Sequence, residues 1–175
     1  MPAAAPAKSI LIVALLAVTS AYAQQSYRLD QASATGKDSA FVQQAAKAGL
    51  AEVELSRVAA GSAASPEVRQ FADDMIRDHT KNNEDLGAIA RAENLRVPDT
   101  LDNEHAELRT RLQTLKGTPF DEAYMTAMRQ DHQAVADLLR GSQSQVSSIA
   151  LRNYIRSTLP VVEHHLEMAR KIKTR

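Results

Sequence analysis

The chain has 175 residues, with 21 basic against 21 acidic side chains, three Phe, four Tyr, and neither cysteine nor tryptophan. A balanced charge argues against a nucleic-acid partner, because phosphate binding rests on a cationic surface. Without cysteine there are no disulfides, thiolate ligands or thiol nucleophiles, so the fold rests on its apolar core, for which this length suffices.

The N-terminus carries one cation, Lys8, then an apolar run from Ile10 to Val18, then Ser20-Ala21-Tyr22-Ala23 before Gln24. The run is far shorter than the roughly 20 residues that span a bilayer, and the small residues at Ala21 and Ala23 fit a signal-peptidase site. The pattern predicts a signal peptide over residues 1–23, cleaved after Ala23, and a mature protein in the periplasm. No cysteine follows the run, which excludes a lipid-modified N-terminus. Loss of Lys8 leaves 20 basic against 21 acidic residues.

Residues 24–36 are polar, with little periodicity, and are expected as a flexible lead-in to a single domain over 37–173. A first helix is predicted from about Asp38 to Ala60, stopped by Gly61-Ser62. Ser65-Pro66-Glu67 announces a second, with Ser as N-cap and Pro at the first helical position, running to about Asn94. After a turn holding Pro98 comes a short helix, about Leu101 to Leu115, closed by Gly117. Thr118-Pro119 repeats the start for a third long helix, to about Arg140. The fourth begins near Ser147 or Ser148 and continues almost to the C-terminus. No stretch alternates apolar and polar residues long enough for a strand. Four long amphipathic helices and one short connecting helix predict an all-α, antiparallel four-helix bundle. Each long helix has a charged face, so a transmembrane segment in the mature chain is not expected. A partner would be an envelope protein or the membrane surface.

A helix turns about 100° per residue, which places each polar residue relative to its apolar stripe. Glu52 falls inside the stripe of the first long helix and His79 inside that of the second, with Asp78 at the edge. On the third, Asp131 lies near the centre of the stripe and His132 toward the side occupied by Met125 and Leu139, and either is able to turn inward. On the fourth, His165 lies roughly 40° from the centre of the stripe and His164 roughly 140° away, toward solvent. His105, among Asp102, Glu104 and Glu107, reads as a surface residue. Pro160 is expected to kink the fourth helix one turn before His165. Met75-Ile76-Arg77-Asp78-His79 and Met128-Arg129-Gln130-Asp131-His132 share Met-x-x-Asp-His, though the flanking residues do not match.

Every long helix thus brings an ionisable residue to the interior, where it has to be paired, hydrogen-bonded, neutralised or metal-bound. Glu52, His79, Asp131, His132 and His165 form the candidate metal set. Imidazoles with a carboxylate and no thiolate suit one ion of Zn, Fe, Cu or Ni. The alternative is a metal-free hydrogen-bond network in which Glu52 and Asp131 orient the histidines, within an envelope or stress-related interaction protein. No nucleophile, cofactor loop or acid–base pair is legible, so the sequence leans away from an enzyme.

Between Phe41 and Ala169 the chain resembles the exported ferritin-like proteins catalogued as domain of unknown function 4142. The likeness rests on Gly49-Leu50-Ala51-Glu52-Val53-Glu54-Leu55, on Phe71-Ala72-Asp73-Asp74-Met75-Ile76-Arg77-Asp78-His79-Thr80, on Phe120-Asp121-Glu122-Ala123-Tyr124, on Asp131-His132, and on Leu159-Pro160 through His165-Leu166. It implies a ferritin-like bundle in the periplasm or at the outer membrane, with no established activity. Di-iron members of the wider superfamily carry Glu-x-x-His on two helices. Here the residues three before His79, His132, His164 and His165 are Ile76, Arg129, Val161 and Val162, so iron storage and ferroxidase chemistry are not implied.

Overall fold

The computed structural model describes the backbone of residues 10–174 and the side chains of residues 35–174. Among these residues there are five helices and no strand: α1 (Ile10–Ser62), α2 (Pro66–Ala92), α3 (Asn103–Thr114), α4 (Thr118–Ser142) and α5 (Ile149–Lys171). The chain divides into two compact units at Gly36 and Lys37, and the account below concerns the second. The expected signal segment lies outside the described residues at 1–9 and outside the described side chains to residue 23. Helix α1 takes in residues 24–36, the expected lead-in. Nothing in that stretch stops a helix: it has no proline, and the lone Gly36 costs only about 1 kcal/mol against alanine. No helix of the described residues is long and apolar enough to cross a membrane.

Local chemistry sets the helix ends. The Ser65 hydroxyl accepts from the backbone N–H groups of Glu67 and Val68 at the start of α2. At its other end Asn94, with φ of 57°, takes the left-handed conformation that lets Leu95 N–H reach back to Ala90 O, an asparagine version of the usual glycine terminator. Asp102 and Ser148 cap α3 and α5 in the same way as Ser65. The start of α4 differs from expectation. Its N-cap is Gly117, with φ of 64° and ψ of −149° and no side-chain cap, while Thr118 is already helical. Only glycine takes that conformation without strain. Helix α5 continues through Pro160. The Arg156 carbonyl that proline leaves without its helical donor belongs to an exposed residue.

Tertiary contacts orient the helices. Gly49 faces Asn83 and Glu52 meets His79, so α1 and α2 are antiparallel. Ser56 Oγ shares a 2.8 Å hydrogen bond with Tyr124 Oη, and the Asp121 carboxylate accepts from Ala64 N–H and Ser65 N–H, so α1 and α4 are antiparallel as well. Arg140 with Glu163 and Arg170 with Gln133 pair α4 and α5 in opposite directions. Helices α2 and α4 therefore run the same way. A connection through α3 carries the chain back along the bundle between them.

Two apolar clusters form the core. One holds Leu55, Val68, Phe71, Met75, Leu112, Phe120, Tyr124 and Met128. The other, toward the opposite end, holds Phe41, Val42, Leu86, Leu139, Leu151, Tyr154, Ile155 and Val162. Each such side chain contributes about 1.5–3 kcal/mol by leaving water. Between the two clusters lies a polar layer.

Candidate metal centre

That layer is built by one residue from each long helix. Glu52, His79, His132 and His165 are all buried, each at 3% exposure or less. The three imidazole rings form a triangle with centroids 5.2–5.7 Å apart. Each offers a ring nitrogen within 4.8 Å of the other two.

The outer nitrogen of each ring is committed to an acceptor. His79 Nδ1 lies 2.8 Å from Glu52 Oε2. His132 Nδ1 lies 2.8 Å from the Met128 carbonyl oxygen, one turn back on its own helix. His165 Nε2 lies 3.0 Å from Asp78 Oδ2. A carboxylate and a carbonyl only accept, so each of these nitrogens carries the hydrogen. In the neutral rings the inner atoms His79 Nε2, His132 Nε2 and His165 Nδ1 are then bare lone pairs facing one another. Two of them, His79 Nε2 and His165 Nδ1, stand 3.2 Å apart. His132 Nε2 has no hydrogen-bond partner although it is buried. Imidazole nitrogens at 2.0–2.1 Å from one tetrahedral ion are about 3.3 Å apart, with the other ring nitrogen held by a carboxylate or carbonyl. Three buried histidines are thus placed to hold a metal ion.

Charge follows the same logic. Burial pushes the Glu52 carboxyl up, but the charges of His79 and His132 and the hydrogen bond from His79 outweigh it and bring it down to about 2. Burial lowers His79, yet the Glu52 charge and hydrogen bond more than reverse this and raise it. His132 is lowered, mainly by burial. His165 is lowered to about 4, by burial and then by the charges of His79 and His132. Without a metal, an added proton is favoured at His79, whose Nδ1 then donates to Glu52 and whose Nε2 then donates to His165.

Of the five residues expected from the sequence, the structure brings three, His79, His132 and His165, together as a group that could hold a metal ion. Glu52 stands behind His79, bonded to the nitrogen that faces away from the centre, so it orients a ligand. Asp131 is elsewhere. It turns toward α3, where its Oδ1 lies 3.7 Å from His105 Nε2, and its neighbour His132 takes the inward place. A residue one position along a helix points about 100° away, so only one of this pair can reach the centre. His105 is half-buried rather than a surface residue. The Asp131 carboxylate beside it and the hydrogen bond to Asp102 outweigh burial and raise it to about 9. His164 is exposed, as its angle predicts. The residue that sequence reasoning passed over is Asp78, and its signal was the Met-x-x-Asp-His echo. In both copies the histidine turns inward and the aspartate reaches a histidine of another helix, His165 from Asp78 and His105 from Asp131.

Residues 23–172 match a family described as Domain of unknown function (DUF4142). The chain belongs to the DUF4142 family. No curated protein matches it. Among solved structures, the crystal structure of a DUF305 fragment from Deinococcus radiodurans is similar to this DUF4142 chain, with a TM-score of 0.69 over 78% of this chain and 95% of that one. At 14% identity the likeness is one of fold.

Proposed function

We propose that this protein is exported to the periplasm and sequesters one transition-metal ion, Zn, Fe, Cu or Ni, through His79, His132 and His165 in a ferritin-like bundle. One observation carries the metal reading: three buried imidazoles, each with its outer nitrogen held by an acceptor, turn their bare nitrogens on one point. Export is supported by the N-terminal order of cation, short apolar run and small residues. The ferritin-like description is supported by the single long crossover that sets α2 and α4 parallel. Retention rather than turnover suits the surroundings, because the ligands are shielded and the cavity beside Glu52 and His79 is only about 10 Å³, space for a single water. Protein recovered from the periplasm should begin at Gln24 and carry one metal ion per chain by elemental analysis, lost in His79→Ala and His165→Ala. Wild-type protein that stays metal-free after exposure to all four metals would falsify the reading.

A second reading, a metal-free envelope or interaction protein, has one observation in its favour. Protonated His79 satisfies both Glu52 and His165 by itself. It predicts that His79→Ala and His165→Ala weaken the fold but leave the capture of envelope partners in pull-downs unchanged.

A further inference from the structure

An ion reaching the enclosed nitrogens has to cross the side chains around them, and the walls differ. Toward the first apolar cluster stands Phe71, its ring centroid 6.5 Å from that of His132 and 6.3 Å from that of His165. Toward solvent between α2 and α5 stands Asp78, but its oxygens are taken by His165 and by the guanidinium of Arg77, itself a cation. Between α1 and α2 the wall is polar and leaves room. The cavity of about 10 Å³ is lined on that side by Ala45, Gly49, Glu52, His79, Asn82 and Asn83, and on its α4 and α5 side mainly by apolar residues such as Val135, Leu139 and Val162.

Two side-chain atoms of this wall are shielded from solvent without a hydrogen-bond partner, Glu52 Oε1 and Asn82 Nδ2. Glu52 Oε1 lies 3.5 Å from His132 Nδ1, whose hydrogen goes to Met128 instead. Gly49 is buried, and a Cβ on it would stand 2.0 Å from Asn83 Oδ1. The missing side chain is what lets Asn83 lie across the α1 backbone. Moving a cation through an apolar layer costs several kcal/mol, whereas a carboxylate oxygen and amide groups replace its lost waters.

We propose that the α1–α2 wall is the route by which a transition-metal cation reaches the three histidines, with Asn83 over Gly49 as its outer plug and Asn82 with the free oxygen of Glu52 as its inner stage. The proposal rests on the metal reading above. It makes a kinetic claim, separate from affinity: residues of the route change the rates of uptake and release together.

Stopped-flow uptake of cobalt(II) by the full metal-free chain, and its release to a chelator, test this. Asn83→Ala should speed both by about tenfold, which is about 1.4 kcal/mol of barrier, with their ratio unchanged. Asn82→Leu should slow both, and Phe71→Leu should leave both rates as they are. Circular dichroism shows that each variant is folded, and Asn83→Ser serves in place of an alanine variant that is not. If wild type takes up cobalt but the Asn82 and Asn83 variants match it, or Phe71→Leu alone is faster, the route is overturned and the binding site stands. If wild type takes up none of the four proposed metals nor cobalt, the metal reading falls and the route with it.

Discussion

A carboxylate as buried as Glu52 stays ionised only when a cation faces it. In the metal-free protein that cation is His79, 2.8 Å away. Glu52→Gln removes the charge, so His79 should lose its raised affinity for a proton and the fold should weaken by about 2 kcal/mol, allowing for the hydrogen bond an amide retains. NMR titration of the imidazole rings and denaturant unfolding check the two parts. The histidines also set an acid limit. His165 is held at about 4 against an ordinary 6.5, so the unfolded chain takes up its proton first and stability drains away as the pH falls from 6.5 toward 4. Glu52, at about 2 against 4.5, extends the loss below pH 4.5. His79 acts the other way, because its raised value gives a contribution complete below 6.5 that fades as the pH climbs through its folded value. Unfolding free energy measured with a chelator present should therefore fall on acidification below pH 6.5, and His165→Gln should flatten the part between 6.5 and 4. An unchanged slope in that variant would remove His165 as the cause.

At the scale of the helix, two aspartates act as caps for turns far away in sequence. Asp38 on α1 accepts from Ser147 N–H at 2.7 Å and Ser148 N–H at 3.1 Å, where α5 begins. Asp121 on α4 does the same for Ala64 and Ser65, where α1 gives way to α2. Each satisfies backbone donors that the start of a helix leaves free, and each fastens one long helix to the end of another. Asp38→Ala and Asp121→Ala should each cost about 1–2 kcal/mol in denaturant unfolding. Because they sit at opposite ends of the bundle the double variant should be additive, and a markedly smaller sum would mean that the two ends are coupled. Neither contact is legible in the sequence, since a cap is recognised there only by its place just before its own helix. The local cap at Ser65 and the start near Ser148 are legible for that same reason.

The whole molecule accepts a polar layer through the middle of its core, which parts the apolar side chains into two clusters. Such a layer is a poor source of stability, and replacing buried ionic groups with apolar ones of similar volume is often neutral or stabilising. Joint replacement by leucine at Glu52, His79, His132 and His165 should keep the helical content, hold or raise the unfolding free energy, and abolish metal binding. Collapse of the fold would instead assign the layer a structural role. The amino-acid pattern by itself determined the helices from α2 onward, the Ser65 cap, and the inward placement of Glu52, His79 and His165, because periodicity and capping are local and act within a few residues. Only the tertiary structure decided that His132 rather than Asp131 turns inward, that Glu52 and Asp78 stand behind His79 and His165, and that α2 and α4 are parallel. Those outcomes depend on which helix faces which and at what height, and a helix's own periodicity gives its angle around the axis without naming the neighbour it meets.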